Sequence, residues 1–194
     1  CGWSNLPEAD LLIQDDRNYT IGQFVWTGFD YLGEPTPYDT YWPSRSSYFG
    51  ICDLAGLPKD RFYLYRSVWN KEKHTLHILP HWTWPGREGK VTPVFVYTDY
   101  PSAELFVNGK SQGRVYKQSY SVAAASANTE KPQLENMDLL RRYRLMWDKV
   151  KYEPGEIKVV AYNAKGEKAE EKMICTAEKP SKLEVKADRN EIKA

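Results

Sequence analysis

The run Gly22-Gln23-Phe24-Val25-Trp26-Thr27-Gly28-Phe29-Asp30-Tyr31-Leu32-Gly33-Glu34-Pro35 holds the side chains best placed for chemistry. Its apolar part ends in a Trp, and Gly, Asp and Pro stop it at once. That pattern reads as a buried strand over residues 22–27 whose C-terminal end opens into a loop. In folds that alternate strands with helices, sites collect at that end. The Trp26 indole would form a flat apolar wall there, of the kind that receives the C–H face of a sugar, with its N–H left over as a donor. The alternative is a core Trp packed beside a tight turn. Asp30 either hydrogen-bonds a sugar hydroxyl or holds a neighbouring loop. Glu34 offers a further carboxylate, for which a turn contact or an ion pair is the simpler role.

Other reactive side chains point less clearly. His77 and His81 are four apart, a spacing that shares one face of a helix. Thr75 to Leu79 is strand-like, however, and Pro80 intervenes, so no metal site is expected from His74, His77 and His81. Trp82 and Trp84 read as packing between two structural units, or alternatively as a sugar-binding surface. The three cysteines, Cys1, Cys52 and Cys175, show no ligand spacing and read as free thiols or small buried side chains. No cofactor is expected.

The elements that must position these residues follow from pattern. Asn5, Pro7 and Glu8 give a capping box and a first-turn proline for a helix over residues 6–19. Residues 28–47 read as a long loop and Tyr48 to Asp53 as an extended segment. Pro58 and Asp60 introduce a helix to about Asn70, with Phe62, Tyr65 and Trp69 on one face. After residue 74 the apolar period changes from helical to two. Val94 and Val96, then Ala103, Leu105 and Val107, alternate with outward residues, and Asn108-Gly109 is a strong hairpin turn. Leu145 and Trp147 share a face. Glu153-Pro154-Gly155 turns the chain into Ile157, Val159 and Ala161, and Lys165-Gly166 turns it again before Lys172 to Ala177. Short strands between turn signals predict an antiparallel sandwich. Residues 117–142 interrupt them and read as a surface insertion with a helical turn near Met137 to Arg141.

Composition narrows the classes. The 194 residues carry 27 basic and 26 acidic side chains, a net charge of +1, so no electrostatic footprint for nucleic acid exists. No apolar run approaches a membrane span. Seven Trp and 14 Tyr suit β-rich packing and also carbohydrate handling. The chain starts at Cys1 without Met, and the strand pattern from Leu183 stops short, so the sequence reads as a piece of a longer polypeptide.

The segment around Trp26 closely resembles the last barrel strand of beta-galactosidases of glycoside hydrolase family two. The resemblance runs on through Trp42-Pro43-Ser44-Arg45-Ser46-Ser47-Tyr48-Phe49-Gly50-Ile51-Cys52-Asp53-Leu54-Ala55-Gly56 and Pro58-Lys59-Asp60. It resumes at Leu79-Pro80-His81-Trp82-Thr83-Trp84-Pro85-Gly86, at Glu104 to Gly113 and at Tyr152-Glu153-Pro154-Gly155. It implies an α/β barrel fragment followed by an all-β immunoglobulin-like sandwich. Residues 1–72 would be the C-terminal end of a (β/α)8 barrel, 73–178 the sandwich, and 179–194 a linker and the start of a further sandwich. It also implies retaining hydrolysis of β-galactosides by the parent protein, which needs two carboxyl groups about 5–5.5 Å apart. Both family glutamates fall on earlier barrel strands, so no catalytic residue is assigned here and the isolated chain is expected to be inactive. Trp26 becomes the platform beneath the sugar, and Asp30 and Phe49 join it as substrate-binding residues. Ser46, Ser47, Tyr48 and Phe49 resemble the segment that lines the pocket rim, while core or turn roles remain open for them. Arg45 would pair with Asp30, Asp53 or a carboxylate elsewhere. Expected partners are the carbohydrate, the remaining domains of the parent and a second copy; the family suggests a periplasmic or extracellular setting. A carbohydrate-binding module and a structural spacer without catalysis are the alternatives, and neither has a use for residues 6–70.

Overall fold

The computed structural model describes residues 5–33, 46–121, 137–187 and 189. The element order is α1 (Pro7–Asp16), α2 (Asp60–Trp69), β1 (Leu76–Leu79), β2 (Val94–Thr98), β3 (Ser102–Val107), β4 (Lys110–Tyr116), α3 (Met137–Tyr143), β5 (Arg144–Trp147), β6 (Glu156–Tyr162) and β7 (Lys168–Cys175). The strands form two antiparallel sheets, one ordered β1-β2-β5 and the other β4-β3-β6-β7.

The alternation that predicted the strands also builds the core. Leu76, Ile78, Val94, Val96, Leu145 and Trp147 face inward from the first sheet. Ala103, Leu105, Val107, Ile157, Val159 and Ala161 meet them from the second. Trp82 closes one end of this core: it is fully buried, its rings lie edge-on to Tyr152, and its indole N–H donates to the Glu153 carbonyl at 3.0 Å. The expectation that Trp82 packs between two units is therefore corrected; it belongs to the sandwich interior. Trp84 is partly buried against the same core and stacks on His81.

Asn108 and Gly109 both take left-handed backbone, with φ of 48° and 78°. That geometry matches the twist of a two-residue hairpin. Asn108 does more than turn the chain. Its side-chain amide donates to the Pro154 carbonyl at 3.1 Å and its Oδ1 accepts from the Glu156 N–H at 2.8 Å. A Cβ on Gly155 would stand 2.2 Å from that Oδ1, so the two turns interlock only with glycine there.

The outer face of the three-stranded sheet is covered by helices. Leu11 and Leu12 of α1, Leu64 and Tyr65 of α2, and Leu139 and Tyr143 of α3 gather around Tyr97. At the centre of this layer the Arg144 guanidinium pairs with the fully buried Glu8 and lies over the rings of Phe95 and Tyr97. Arg142 pairs with Asp16 at 2.8 Å, and the Tyr143 hydroxyl donates to Asp15 at 2.9 Å.

Several expectations change. Glu8 is not part of a capping box: Leu6 is the N-cap, no side chain caps it, and Glu8 points into the helical layer. The helix stops at Asp16 rather than residue 19. Residues 21–25 form no strand; pairing starts only at Thr27. A parallel strand takes its hydrogen bonds from neighbours, and among the described residues only 49–52 lies alongside. On α2, Tyr65 stacks on Trp69, but the buried stripe is Leu64, Tyr65 and Ser67 rather than Phe62. The helix expected near Met137 to Arg141 is present as α3, but it does not lie on the surface, because Leu139, Leu140 and Tyr143 are buried; residues 122–136 of the expected insertion lie outside the described residues. Residues 181–187 form no strand.

Candidate functional site

The ledge that carries Trp26 is built from two extended segments. The Ile51 N–H donates to the Thr27 carbonyl at 2.9 Å, Cys52 N–H to Gly28 at 3.0 Å, and Asp30 N–H to Cys52 at 3.0 Å. The Trp26–Thr27 peptide is cis. Ser47 closes the outer end: its N–H donates to the Tyr31 carbonyl at 2.8 Å and its hydroxyl accepts from the Tyr31 N–H at 3.1 Å. Gly50 is required at the crossing, since a Cβ would sit 2.2 Å from the Asp30 nitrogen.

Trp26 stands out from this ledge. Its side chain is 72% exposed and meets Tyr31 edge-on at 6.0 Å between ring centres. Phe49 is half-buried in the adjacent segment, and its carbonyl accepts from Thr27 N–H at 3.4 Å. The structure thus places Trp26 and Phe49 on neighbouring segments. Ser46 and Ser47 are buried and hold backbone, and Tyr48 is exposed.

Asp30 is placed differently. It is 7% exposed, and its Oδ1 accepts from the Gly50 N–H at 2.8 Å and from the Lys59 ammonium at 2.7 Å. Lys59 also reaches the Tyr48 carbonyl at 3.4 Å. Asp30 therefore ties the segment behind Trp26 to the start of α2. Sequence reasoning assigned no role to Lys59; a lone lysine 29 residues away gives no local signal of this pairing. Asp53 uses its Oδ1 on the Ala55 and Leu57 N–H groups, forming its own turn. Glu34 and Arg45 lie outside the described residues.

The histidines separate. His74 bonds Asp99 and stacks on Tyr100, His77 bonds Asp60 and stacks flat on Tyr63 at 3.8 Å, and His81 stacks on Trp84. Among the described residues Cys52 and Cys175 are free thiols.

A ledge with large aromatics standing free, Phe24, Trp26 and Phe29, offers a surface for binding and orientation. Comparisons with known proteins give it a context. The chain is 44% identical over 189 residues to a beta-galactosidase of Bacteroides ovatus, covering 97% of this chain and 19% of that protein. It is 35% identical over 172 residues to a putative beta-glucuronidase of Formosa agariphila, covering 88% and 14%. The chain matches a segment of glycoside hydrolase family two proteins over nearly its whole length. A solved structure of a family-two member from Bacteroides cellulosilyticus matches 92% of the chain at 28% identity with a TM-score of 0.67, using 22% of that chain. A beta-glycosidase from Bacteroides vulgatus matches 79% at 35% identity with a TM-score of 0.59, using 16% of that chain. A family model described as a domain of unknown function (DUF4982) matches residues 89–170, which hold β2 to β6 and the start of β7. The chain thus spans about a fifth or less of the length of these family-two relatives.

Proposed function

We propose that the chain forms part of a retaining β-galactosidase and supplies one wall of its sugar pocket, with the sandwich as a buttress. The observation that carries this is the exposed Trp26 ring on a ledge fixed from behind by Asp30, Lys59 and Gly50. In this reading residues 1–72 are the closing end of the catalytic barrel and 73–178 the supporting immunoglobulin-like domain, with 179–194 leading into a further sandwich. Ile21, Phe24 and Phe29, exposed beside Trp26, are then covered by the rest of the barrel. Galactose is favoured by the name of the Bacteroides ovatus relative, at higher identity than the putative glucuronidase.

The chemistry needs a proton donor and a nucleophile, both carboxyl groups. Neither is assigned to this chain. Trp26 would hold the apolar face of the sugar, contributing about 1–3 kcal/mol by analogy with bases stacked on aromatic rings. Positioning of that kind lowers the barrier by fixing the reacting bond between the carboxylates. Asp30 and Lys59 act through Trp26 as positioning residues, and Phe49 backs the same pocket.

The test uses the full-length protein with aryl galactoside and aryl glucuronide. Hydrolysis of the galactoside is expected, and Trp26→Ala should reduce kcat/KM about tenfold to a hundredfold. Preference for the glucuronide would move the reading to that sugar. Unchanged kinetics in folded Trp26→Ala protein would remove Trp26 from the pocket.

A further inference from the structure

The outer face of the four-stranded sheet has a chemistry that the buttress role does not use. Cross-strand register places Tyr116, Ser102 and Tyr162 in one row and Arg114 and Glu104 in the next. The Arg114 guanidinium lies 3.8 Å from the Tyr162 ring centre and 5.2 Å from that of Tyr116. Its Nε and Nη2 both donate to the Ser102 hydroxyl, at 3.2 and 2.8 Å. Those contacts fix the plane of the guanidinium without neutralising it.

The neighbouring acids are engaged elsewhere. Glu104, directly across the strand, accepts from the Tyr162 hydroxyl at 3.2 Å and from Ser111. Glu171 pairs with Lys168 at 2.7 Å. Among the described residues no carboxylate comes within ion-pair distance of Arg114, nor of Lys158, which lies over Phe106 on the same face. Tyr116 is 60% exposed beside the guanidinium. The face therefore presents a held planar cation without a direct carboxylate partner, across the strand from Glu104 and next to an open aromatic ring. A planar guanidinium suits a carboxylate, which it can bind through two parallel hydrogen bonds, and a phenol ring suits the apolar face of a pyranose.

We propose that this face is a binding surface for acidic glycans, with a uronate carboxylate on Arg114 and a sugar ring on Tyr116. The ligand class follows from the Arg114 guanidinium, which Ser102 and two rings hold in plane and which has no carboxylate within ion-pair distance among the described residues. Lys158, one row on, meets the next charge of a polyuronate strand. The proposal does not depend on which glycoside the parent hydrolyses.

Affinity electrophoresis of the full-length protein tests it, with polygalacturonate, neutral galactan and dextran sulfate as separate gel-embedded probes. Retention by polygalacturonate but not by galactan is expected. Arg114→Gln should weaken it about tenfold, the scale of one charged hydrogen-bonded contact, and Lys158→Gln by less. Tyr116→Ala, at an exposed position, should weaken it too and keeps the test decisive if Arg114→Gln fails to fold. Three outcomes overturn the proposal: no retention by polygalacturonate, equal retention by galactan, or equal losses in both charge variants accompanied by stronger retention on dextran sulfate, which would reveal unspecific attraction to polyanions.

Discussion

The sandwich and the Trp26 ledge use aromatic and apolar residues in opposite ways. In the sandwich, Trp82, Leu105 and Ile157 are sealed between two sheets, and the Asn108 turn is tied to the turn at Pro154 by side-chain hydrogen bonds. On the ledge, Phe24 and Trp26 stand in the open at 107% and 72% exposure while the polar residues, Asp30 and Ser47, are the buried ones. The sandwich completes its own core. The ledge buries polar groups to fix backbone and leaves its apolar groups for something else to cover, which is what half of a pocket wall requires. Core packing and apolar exposure are thus separated along the chain.

Substitutions can break that contrast. Trp82→Ala should cost the most, about 3–5 kcal/mol, through lost burial and the cavity left between the sheets. Phe24→Ala in the same 194-residue chain should stay within about 0.5 kcal/mol, as for other exposed positions. Urea denaturation of both variants checks the pair, and comparable losses would erase the distinction.

Glu8→Ala should come next, destabilising by about 3 kcal/mol because it strands Arg144 in the helical layer. The loss falls at the low end for a buried pair because Glu8 Oε2 has no hydrogen-bond partner and so already carries part of its desolvation cost. Replacing both partners, as Glu8→Leu with Arg144→Met, should recover much of the loss, since an apolar pair of similar volume needs no charge compensation. A double variant as unstable as Glu8→Ala would place the effect in packing instead.

On the ledge, Lys59→Met in the full-length protein should lower kcat/KM several-fold to tenfold by freeing Asp30 and the segment behind Trp26, with Lys59→Arg restoring part of it. A change in KM alone, with kcat untouched, would mean that Lys59 meets the sugar rather than orienting Trp26.

The smallest effect is in pH. Burial raises the tyrosines of the helical layer: Tyr65 and Tyr97 are held above their usual value, and Tyr143 further, with the Asp15 hydrogen bond adding to burial. Tyr100 is pushed up to about 12, chiefly by burial. These phenols stay protonated in the folded chain when the unfolded chain ionises, so their stabilisation is present below about pH 10 and lost as pH rises toward their folded values. Lys117 works in the other direction. Burial lowers it to about 8 against the pull of Asp99, so the folded chain holds fewer protons between about pH 8 and 10.5 and stability rises there. Melting curves should therefore improve slightly between pH 8 and 10 and fall above it. Lys117→Met should remove the first slope and Tyr143→Phe should soften the second.

What the sequence made legible follows the range of the interactions. The strands around Val94, Leu105 and Val159 and the turn at Asn108 are written in adjacent residues, because period and turn chemistry act locally. Trp26 was legible as a residue at the end of an apolar run. The pairings that place it were not: Asp30 meets Lys59 across 29 residues, and Glu8 meets Arg144 across 136. Glu8 also sat where a capping box wants a glutamate, so a local rule concealed a distant partner. The helix at Met137 hides its buried leucines among charges that turn toward α1. The strand expected over residues 22–27 misread a segment whose regular pairing depends on neighbours rather than on its own residues.

The interlock at Asn108 has a kinetic side. Its partners at Pro154 and Glu156 are 46 and 48 residues away, whereas the hairpin it turns needs only the two strands beside it. The β3–β4 hairpin can therefore close early, but its turn is locked only after β6 has docked, once that long loop has been closed. A bond of this kind forms on the native side of the folding barrier. Asn108→Gly, which keeps the left-handed turn and removes the side chain, should leave the refolding rate nearly unchanged and speed unfolding. Stopped-flow refolding and unfolding limbs would show it, and a slowed refolding limb would place the lock inside the folding nucleus. The side chain that joins the two turns is, in this account, a latch that governs how long the sandwich stays folded and has little influence on how fast it folds.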